Sequence, residues 1–154
     1  MTGVWRETAR GMIHPWLCDA QGHMSARNYA AFFDEASWAV LSILGYRASM
    51  AEEDRLGWAE LKHVTDFKRE AAVGGFIAVE STVVRTGRSS LTIRHRLIDP
   101  SNTEELATFE GITVAFDLEA RASRALPDDL KANAEAVFAV SGWSAQPPSS
   151  GASQ

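Results

Sequence analysis

The chain has 154 residues, of which 45% are hydrophobic and 23% are charged, proportions typical of one globular domain that buries its own core. Its formal net charge is −5, and its 15 Lys and Arg residues are scattered along the sequence. Because binding to a nucleic-acid backbone needs clustered cations, this charge pattern argues against a nucleic-acid partner.

The sequence also argues against a disulfide and a membrane partner. Cys18 is the only cysteine, so no disulfide can form within the chain. No segment reaches the roughly 20 apolar residues needed to span a bilayer. The first twelve residues, MTGVWRETARGM, lack a continuous apolar signal core. We therefore expect a protein of the reducing cytoplasm.

The N-terminal third predicts a weak strand at residues 8–14 and then one long helix at residues 26–44. Ser25 is the expected N-cap, and Gly45 suits the left-handed turn that ends a helix. Apolar side chains recur at steps of three and four residues and define one buried face: Tyr29, Phe33, Ala36, Val40 and Leu44.

The middle of the chain changes from helical spacing to alternation. Four segments rich in Val, Ile, Thr and Phe predict strands at residues 58–67, 76–86, 90–98 and 105–117. The short connection Thr86-Gly87-Arg88 is typical of a hairpin, so neighbouring strands should run antiparallel.

A second, shorter helix is expected near the C-terminus. Pro127 suits its first turn, and the helix should extend to about Phe138. Residues 141–154 are poor in core-forming side chains and predict a flexible tail after a single domain at residues 1–140. One long helix cannot cover both faces of a parallel sheet. The predicted class is therefore α+β, with a curved antiparallel sheet of about five strands wrapped around the long helix.

One polar run directly before the long helix is a candidate reaction centre: Asp19-Ala20-Gln21-Gly22-His23-Met24. It places a carboxylate, a glycine and a histidine where a loop becomes a helix, and helix starts bind and polarise anionic oxygens. Taken alone, an Asp near a helix start is more often a turn or capping residue.

Two other kinds of catalytic site find no support. The four histidines are widely separated, and neither paired cysteines nor a His-Glu-x-x-His pattern accompanies them, so we expect no metal site. No Gly-x-Ser-x-Gly turn is present, which argues against a Ser-His-Asp hydrolase.

The run Pro15-Trp16-Leu17-Cys18-Asp19-Ala20-Gln21-Gly22-His23-Met24, with Tyr29 and Phe33-Asp34-Glu35-Ala36 after it, resembles the opening of hot-dog-fold acyl-CoA thioesterases. These are thioesterases of the 4-hydroxybenzoyl-CoA type, and the Trp-x-x-Asp-x-x-Gly-His-Met form is most similar to the betainyl-CoA thioesterase branch. The resemblance continues through the hairpin at 87–90, the strand at 91–99 and Leu126-Pro127. It implies a thioester hydrolase that releases a carboxylic acid and free CoA.

This resemblance implies a role for each residue of the run. Asp19 would act as the nucleophile or as a general base on water, and the sequence leaves both routes open. Free backbone amides near Ser25 and Ala26 would stabilise the negative oxygen. Gly22 would allow positive φ or a close approach of the backbone to substrate, and His23 would orient the loop or donate a hydrogen bond.

Substrate binding is predicted at two further places. Coenzyme A carries three phosphates, and the resemblance implies nucleotide contacts near the hairpin, for which the candidates are Arg85, Arg88, Ser89 and Ser90. Lys62 and Lys68-Arg69 are alternative candidates for the phosphates. Tyr29, Glu35 and Trp38 are candidates for contacts with the substrate, although Trp38 is equally suited to partial burial or a subunit contact. The resemblance implies a homodimer or dimer of dimers that shares active sites. No cofactor is expected beyond the CoA of the substrate.

Two alternative functions remain open at this point. The same architecture hosts enoyl-thioester hydratases and dehydratases, but the Asp-x-Asn-Pro-x-His run expected of these is absent. A non-catalytic acyl-thioester-binding module is also compatible with the fold, because a fold does not establish activity.

Overall fold

The computed structural model describes residues 3–139, which form a curved antiparallel sheet packed around one long helix. In chain order the strands are β1 (Arg6–Met12), β2 (Leu56–Phe67), β3 (Phe76–Thr86), β4 (Ser90–Asp99), β5 (Glu104–Asp117) and the short β6 (Ala122–Ser123). The helices are α1 (Ala26–Ile43), the single turn α2 (Met50–Glu53) and α3 (Asp128–Phe138), and a 3-10 turn covers Pro15–Leu17.

The strand order across the sheet is β1-β3-β4-β5-β2, with β6 paired to β5, and every pairing is antiparallel. Helix α1 packs against β1, β3 and β4 on the concave face. The predicted fold class is confirmed: this is the α+β hot-dog arrangement of one central helix wrapped by a sheet.

The core divides into two clusters along α1. Around the N-terminal half of the helix, Tyr29 and Phe33 pack with Ile77, Leu97 and Phe109 of the sheet. The other cluster surrounds the C-terminal half of the helix and includes α3 and the start of β2: Val40, Leu44, Leu56, Leu91, Leu130 and Phe138. The two ends of α1, about 27 Å apart for 18 residues, therefore have separate surroundings.

Both predicted ends of α1 are found. Ser25 occupies the N-cap position, although its hydroxyl makes no capping hydrogen bond. Gly45 has φ of +103°, and the N–H of Tyr46 donates to the carbonyl of Leu41. This left-handed ending satisfies carbonyl groups that the helix leaves without partners.

Strand β2 forms one edge of the sheet, and a β-bulge interrupts its pairing with β5 between Glu60 and Lys62. Most of its residues after Ala59 are exposed, including the apolar Leu61 and Phe67, which are 65% and 57% accessible. Because one extra residue shifts the alternation of the strand, Glu60 and His63 lie on the same face although they are three positions apart.

The structure differs from the sequence predictions at several ends. Strand β1 begins and ends two residues earlier than expected, and His14 instead stacks on Trp16, with ring centroids 4.2 Å apart. The charged connector at residues 51–55 contains most of α2, which the sequence analysis did not predict. The predicted tail at 141–154 lies outside the described residues. No helix among residues 3–139 is long and apolar enough to cross a membrane.

Candidate active site

The Asp19 loop is held by backbone hydrogen bonds within itself and to a neighbouring segment. The N–H of Asp19 donates to the carbonyl of His23, and the N–H of Gly22 donates to the carbonyl of Asp19. Gly22 has φ of +79°, a conformation that residues with a side chain rarely adopt. The N–H of Val73 donates to the carbonyl of Gly22. The loop that carries Asp19 is therefore fixed before any substrate binds.

The carboxylate of Asp19 is anchored through one oxygen. The N–H of Gln21 donates to Oδ1 of Asp19 at 2.8 Å, which forms an Asx turn. No group in residues 3–139 is hydrogen-bonded to the other oxygen, Oδ2. The turn orients the side chain and leaves one oxygen available for chemistry.

A cavity of about 380 Å³ adjoins this loop at the N-terminal end of α1. Four predicted site residues line it, together with the last residue of β2 and the residue after it: Asp19, His23, Ala26, Tyr29, Phe67 and Lys68. The structure therefore brings the proposed carboxylate and the start of the helix to one cavity.

The amides at the helix start are not equivalent. The N–H of Ser25 donates to the carbonyl of Leu17 at 3.0 Å, so it is not free, contrary to the expectation from sequence. The side-chain amide of Asn28 donates to the same carbonyl and to Oγ of Ser25. Ala26 is the first residue of α1, and its N–H has no acceptor within the described chain. Ala26 thus contributes an N–H to the helix start that is free to donate a hydrogen bond.

His23 and Tyr29 form the sides of the cavity. Nε2 of His23 lies 3.3 Å from a carboxylate oxygen of Glu70, whose side chain is largely exposed. The Tyr29 ring meets Phe67 edge-on at 5.1 Å. Burial raises the pKa of the Tyr29 phenol, a backbone hydrogen bond from Ala71 opposes the rise, and the Glu70 charge adds to it. The phenol therefore stays protonated and can serve as a hydrogen-bond donor.

The second wall of this cavity includes Lys68 and Arg69, which are alternative candidates for the CoA phosphates, and two residues that the sequence did not predict there, Phe67 and Glu70. Phe67, Lys68, Arg69 and Glu70 lie at the end of β2 and in the segment after it. Lys68 and Arg69 form ion pairs with Glu105 and Glu104, respectively. Only the tertiary fold joins this segment to the Asp19 loop, through the bridge between His23 and Ala72.

The remaining predicted substrate contacts lie elsewhere in the chain. Glu35 and Trp38 are exposed on α1 and do not line the Asp19 cavity; Trp38 is 49% accessible and packs beside Tyr46. The hairpin carrying Arg88, Ser89 and Ser90 lies next to the start of α3, beside the other end of α1.

The hairpin borders a second cavity, of about 310 Å³. Arg88, Thr86, Asp128 and Lys131 contribute to its lining. The carbonyl of Arg88 accepts a hydrogen bond from the N–H of Leu126, and that of Ser89 accepts one from Ala115. Arg85 is exposed on the preceding strand. One copy of the chain does not bring these residues to Asp19. Among residues 3–139 no cluster of His, Cys, Asp and Glu is arranged to hold a metal ion.

Solved structures of similar fold are numerous. A hypothetical protein from Staphylococcus aureus, determined in complex with CoA, matches with a TM-score of 0.82 and 15% identity over 98% of this chain and 96% of that chain. The 1,4-dihydroxy-2-naphthoyl-CoA thioesterase from Synechocystis matches with a TM-score of 0.73 and 15% identity over 82% and 93%. A DHNA-CoA thioesterase from Staphylococcus aureus matches with a TM-score of 0.76 and 15% identity over 86% and 90%.

No curated protein sequence matches this chain significantly. The model of one protein family, described as the Thioesterase-like superfamily, matches residues 13–134. This range contains the Asp19 loop, all of α1 and strands β2 to β5. The predicted enzyme class, thioester hydrolase, agrees with that family, and the chain belongs to the Thioesterase-like superfamily.

Proposed function

We propose that the protein hydrolyses an acyl-CoA to a carboxylic acid and free CoA at the Asp19 cavity. The observation that carries this proposal is that the carboxylate of Asp19 and the first residue of α1, Ala26, line one cavity. A thioester carbonyl bound there would have an attacking group on one side and an amide donor for its oxygen.

Two routes are compatible with this arrangement. In the first, Oδ2 of Asp19 attacks the acyl carbon, the C–S bond breaks to release the CoA thiolate, and water then hydrolyses the mixed anhydride. In the second, Asp19 takes a proton from water as that water attacks the same carbon. In both routes the N–H of Ala26 would stabilise the tetrahedral oxyanion, and the thiolate leaves with a proton from solvent or from His23.

His23 would have a supporting role in this mechanism. Its backbone carbonyl fixes the Asp19 N–H, and its ring is directed toward Glu70. Two separate functions of the residue, backbone positioning and side-chain chemistry, can therefore be distinguished. Replacing the side chain with Gln should leave the loop folded while removing any proton transfer.

The experiment is release of free thiol from a panel of short, branched, aromatic and trimethylammonium acyl-CoAs. We expect Asp19→Asn to lower kcat by at least about 100-fold, since it removes the attacking or proton-accepting group. Asp54→Asn, at the C-cap of α2, is the matched control and should behave as wild type. Equal activity of wild type and Asp19→Asn would remove Asp19 from the mechanism.

The same panel distinguishes the alternative functions. Tight acyl-CoA binding without thiol release would favour a binding module, and addition of water to an enoyl-CoA would favour a hydratase. A preference for the trimethylammonium acyl group would support the betainyl-CoA branch suggested by the Asp19 run. A reducing cytoplasm, inferred from the single Cys18, is proposed as the location.

We also propose that the active form is a homodimer or a dimer of dimers, assembled through the edge of β2. No strand in the described part of the chain pairs with the outer edge of this 12-residue strand. Exposed apolar side chains follow its length: Leu61, Val64 and Phe67. A long edge with unpaired backbone groups is suited to pairing with another strand, and a second copy offers the same edge.

Assembly would also account for the separation of the two predicted binding regions. Arg88, Ser89 and Ser90, with Lys131 beside the same cavity, are proposed to bind the phosphates of CoA. Since they lie far from Asp19 of their own chain, the nucleotide would be bound by one subunit and the thioester by another.

A further inference from the structure

On the concave side of the sheet, a row of β2 side chains lies on the same face as Phe67 and Phe109. Helix α1 packs mainly against β1, β3 and β4. Aromatic contacts connect α1 and β2 at the two ends of this row: Tyr29 meets Phe67 at one end, beside the Asp19 cavity. At the other end Trp38 and Trp58 both pack on Tyr46, with ring centroids 6.0 and 5.8 Å away. We call this region the α1–β2 trough.

The wall of the trough on β2 carries a pair of polar side chains. Oε2 of Glu60 lies 3.0 Å from Nε2 of His63. The His63 ring contacts Phe109 edge-on at 4.8 Å, and Phe109 stacks on Phe33 of α1. These contacts place the pair on the concave face, between the two aromatic ends of the trough.

The trough is acidic. Both side chains of the pair are about half exposed, and Oε1 of Glu60 has no partner in residues 3–139. Asp34 lies one helical turn before Trp38, on the same flank of α1, and is exposed. The nearby lysines do not offset these charges: Lys62 follows the bulge on the opposite face, and Lys68 is paired with Glu105.

We propose that the trough holds the distal part of the acyl group and that Glu60, positioned by His63, selects acyl groups that end in a hydrogen-bond donor. This inference rests on the proposed thioesterase activity at Asp19, because Phe67, which lines that cavity, lies on the same face of β2 as His63 and Glu60. A terminal hydroxyl or ammonium group would donate to Glu60, whereas a terminal carboxylate would be repelled. Glu60 is thus a specificity-determining residue.

The test compares kcat/KM for four matched series of acyl-CoAs with a methyl, hydroxyl, amino or carboxyl terminus. The four steps along the strand from Phe67 to His63 span about 13 Å, so chain lengths should run up to about twelve carbons. We expect a preference of about tenfold or more for the hydroxyl or amino series over the methyl series at one chain length, and the poorest turnover for the carboxyl series. The hydroxyl and amino arms distinguish a neutral donor from a cation.

Substitutions test whether the Glu60 side chain causes the preference for a terminal hydrogen-bond donor. Glu60→Gln should reduce the preference for a donor about tenfold and leave turnover of methyl-terminated substrates close to wild type. Glu110→Gln is the matched control, because that carboxylate lies on the convex face, paired with Arg94, and should not alter the preference.

Binding to the Asp19→Asn variant separates this inference from the catalytic one. In this variant the Kd values of the four series measure binding in the trough without turnover. If Kd shows no preference for a donor at any chain length, or if Glu60→Gln keeps the full preference, the inference is overturned even when Asp19 proves catalytic. A donor preference in Kd that Glu60→Gln reduces about tenfold supports it even if thiol release is slow.

Discussion

Nδ1 of His95 lies 2.5 Å from Oγ of Ser81 in the interior, where the imidazole is fully buried between α1 and the sheet. Its other nitrogen lies 2.9 Å from Oγ of Ser37, which donates to the carbonyl of Phe33. On the far side Oγ of Ser81 is hydrogen-bonded to Thr8. A chain of hydrogen bonds thus joins β1, β3, β4 and α1 through one neutral ring.

The buried His95 makes the stability of the protein depend on pH. Burial lowers the pKa of His95 from 6.5 to about 3, and His63 contributes further repulsion. Below pH 6.5 His95 binds a proton in the unfolded protein but stays neutral in the folded one. The free energy of unfolding should therefore fall as the pH decreases from about 6.5 toward 3. The loss should be on the order of 4 kcal/mol over that range.

Urea unfolding at a series of pH values measures this dependence. His95→Gln, which keeps hydrogen-bonding groups without titrating, should be less stable near neutral pH but should show a shallower decline between pH 6.5 and 4. A decline equally steep in both proteins would assign the effect to other groups.

Gly22 is expected to resist substitution because of its backbone rather than its surroundings. A Cβ there would meet no atom within 4 Å, but φ is +79°. Gly22→Ala should therefore lower the free energy of unfolding by about 1 kcal/mol, and Gly22→Asn by less, because Asn tolerates left-handed φ. Thermal unfolding of the three proteins measures the order. Greater stability of the Ala variant than of the Asn variant would contradict the argument.

The proposed phosphate contact at Arg88 predicts an effect confined to the nucleotide part of the substrate. Arg88→Ala should raise KM for an acyl-CoA by about tenfold, since charge-assisted contacts to phosphate are strong, while kcat stays near wild type. The matched substrate is the corresponding acyl-pantetheine, which lacks the nucleotide and should be turned over equally by both proteins. Equal loss on both substrates would show that Arg88 does not bind the nucleotide.

The proposed assembly predicts that a charge on the edge strand weakens self-association. Leu61→Lys adds a cation to the edge of β2, which should disfavour strand pairing. Sedimentation equilibrium should show a larger dissociation constant than for wild type. Val84→Lys, at an exposed apolar position on the interior strand β3, is the control and should associate normally. Unchanged association of Leu61→Lys would place the interface elsewhere.

Much of the fold could be predicted because its signals are local. The apolar repeat of α1, Ser25 before it and Gly45 after it depend on neighbours within a few residues, as do the hairpin at Gly87 and the alternation of the strands. The turn α2 was missed because its sequence, Met50-Ala-Glu-Glu, has only one buried residue and no apolar repeat.

The candidate site was predictable only in part, for the opposite reason. Asp19 lies in the polar run and Ala26 at the helix start just after it, so the local sequence also predicts their proximity. Phe67 and Glu70 reach the same cavity through long-range strand pairing, which no local pattern encodes. The Ser25 amide was predicted to be free because its acceptor, the carbonyl of Leu17, belongs to a 3-10 turn that alternation and helical spacing do not reveal.

The bulge at Leu61 determines which side chains of β2 face the trough. In a regular strand, residues three positions apart point to opposite faces, so Glu60 and His63 are neighbours only because one extra residue separates two phases of the same strand. Deleting that residue would turn one part of the strand outward, either Glu60 with the residues before it or His63 with the residues after it. Loss or gain of a single codon at this position would therefore replace a whole row of side chains in the trough, a larger change of substrate surface than any single substitution can produce.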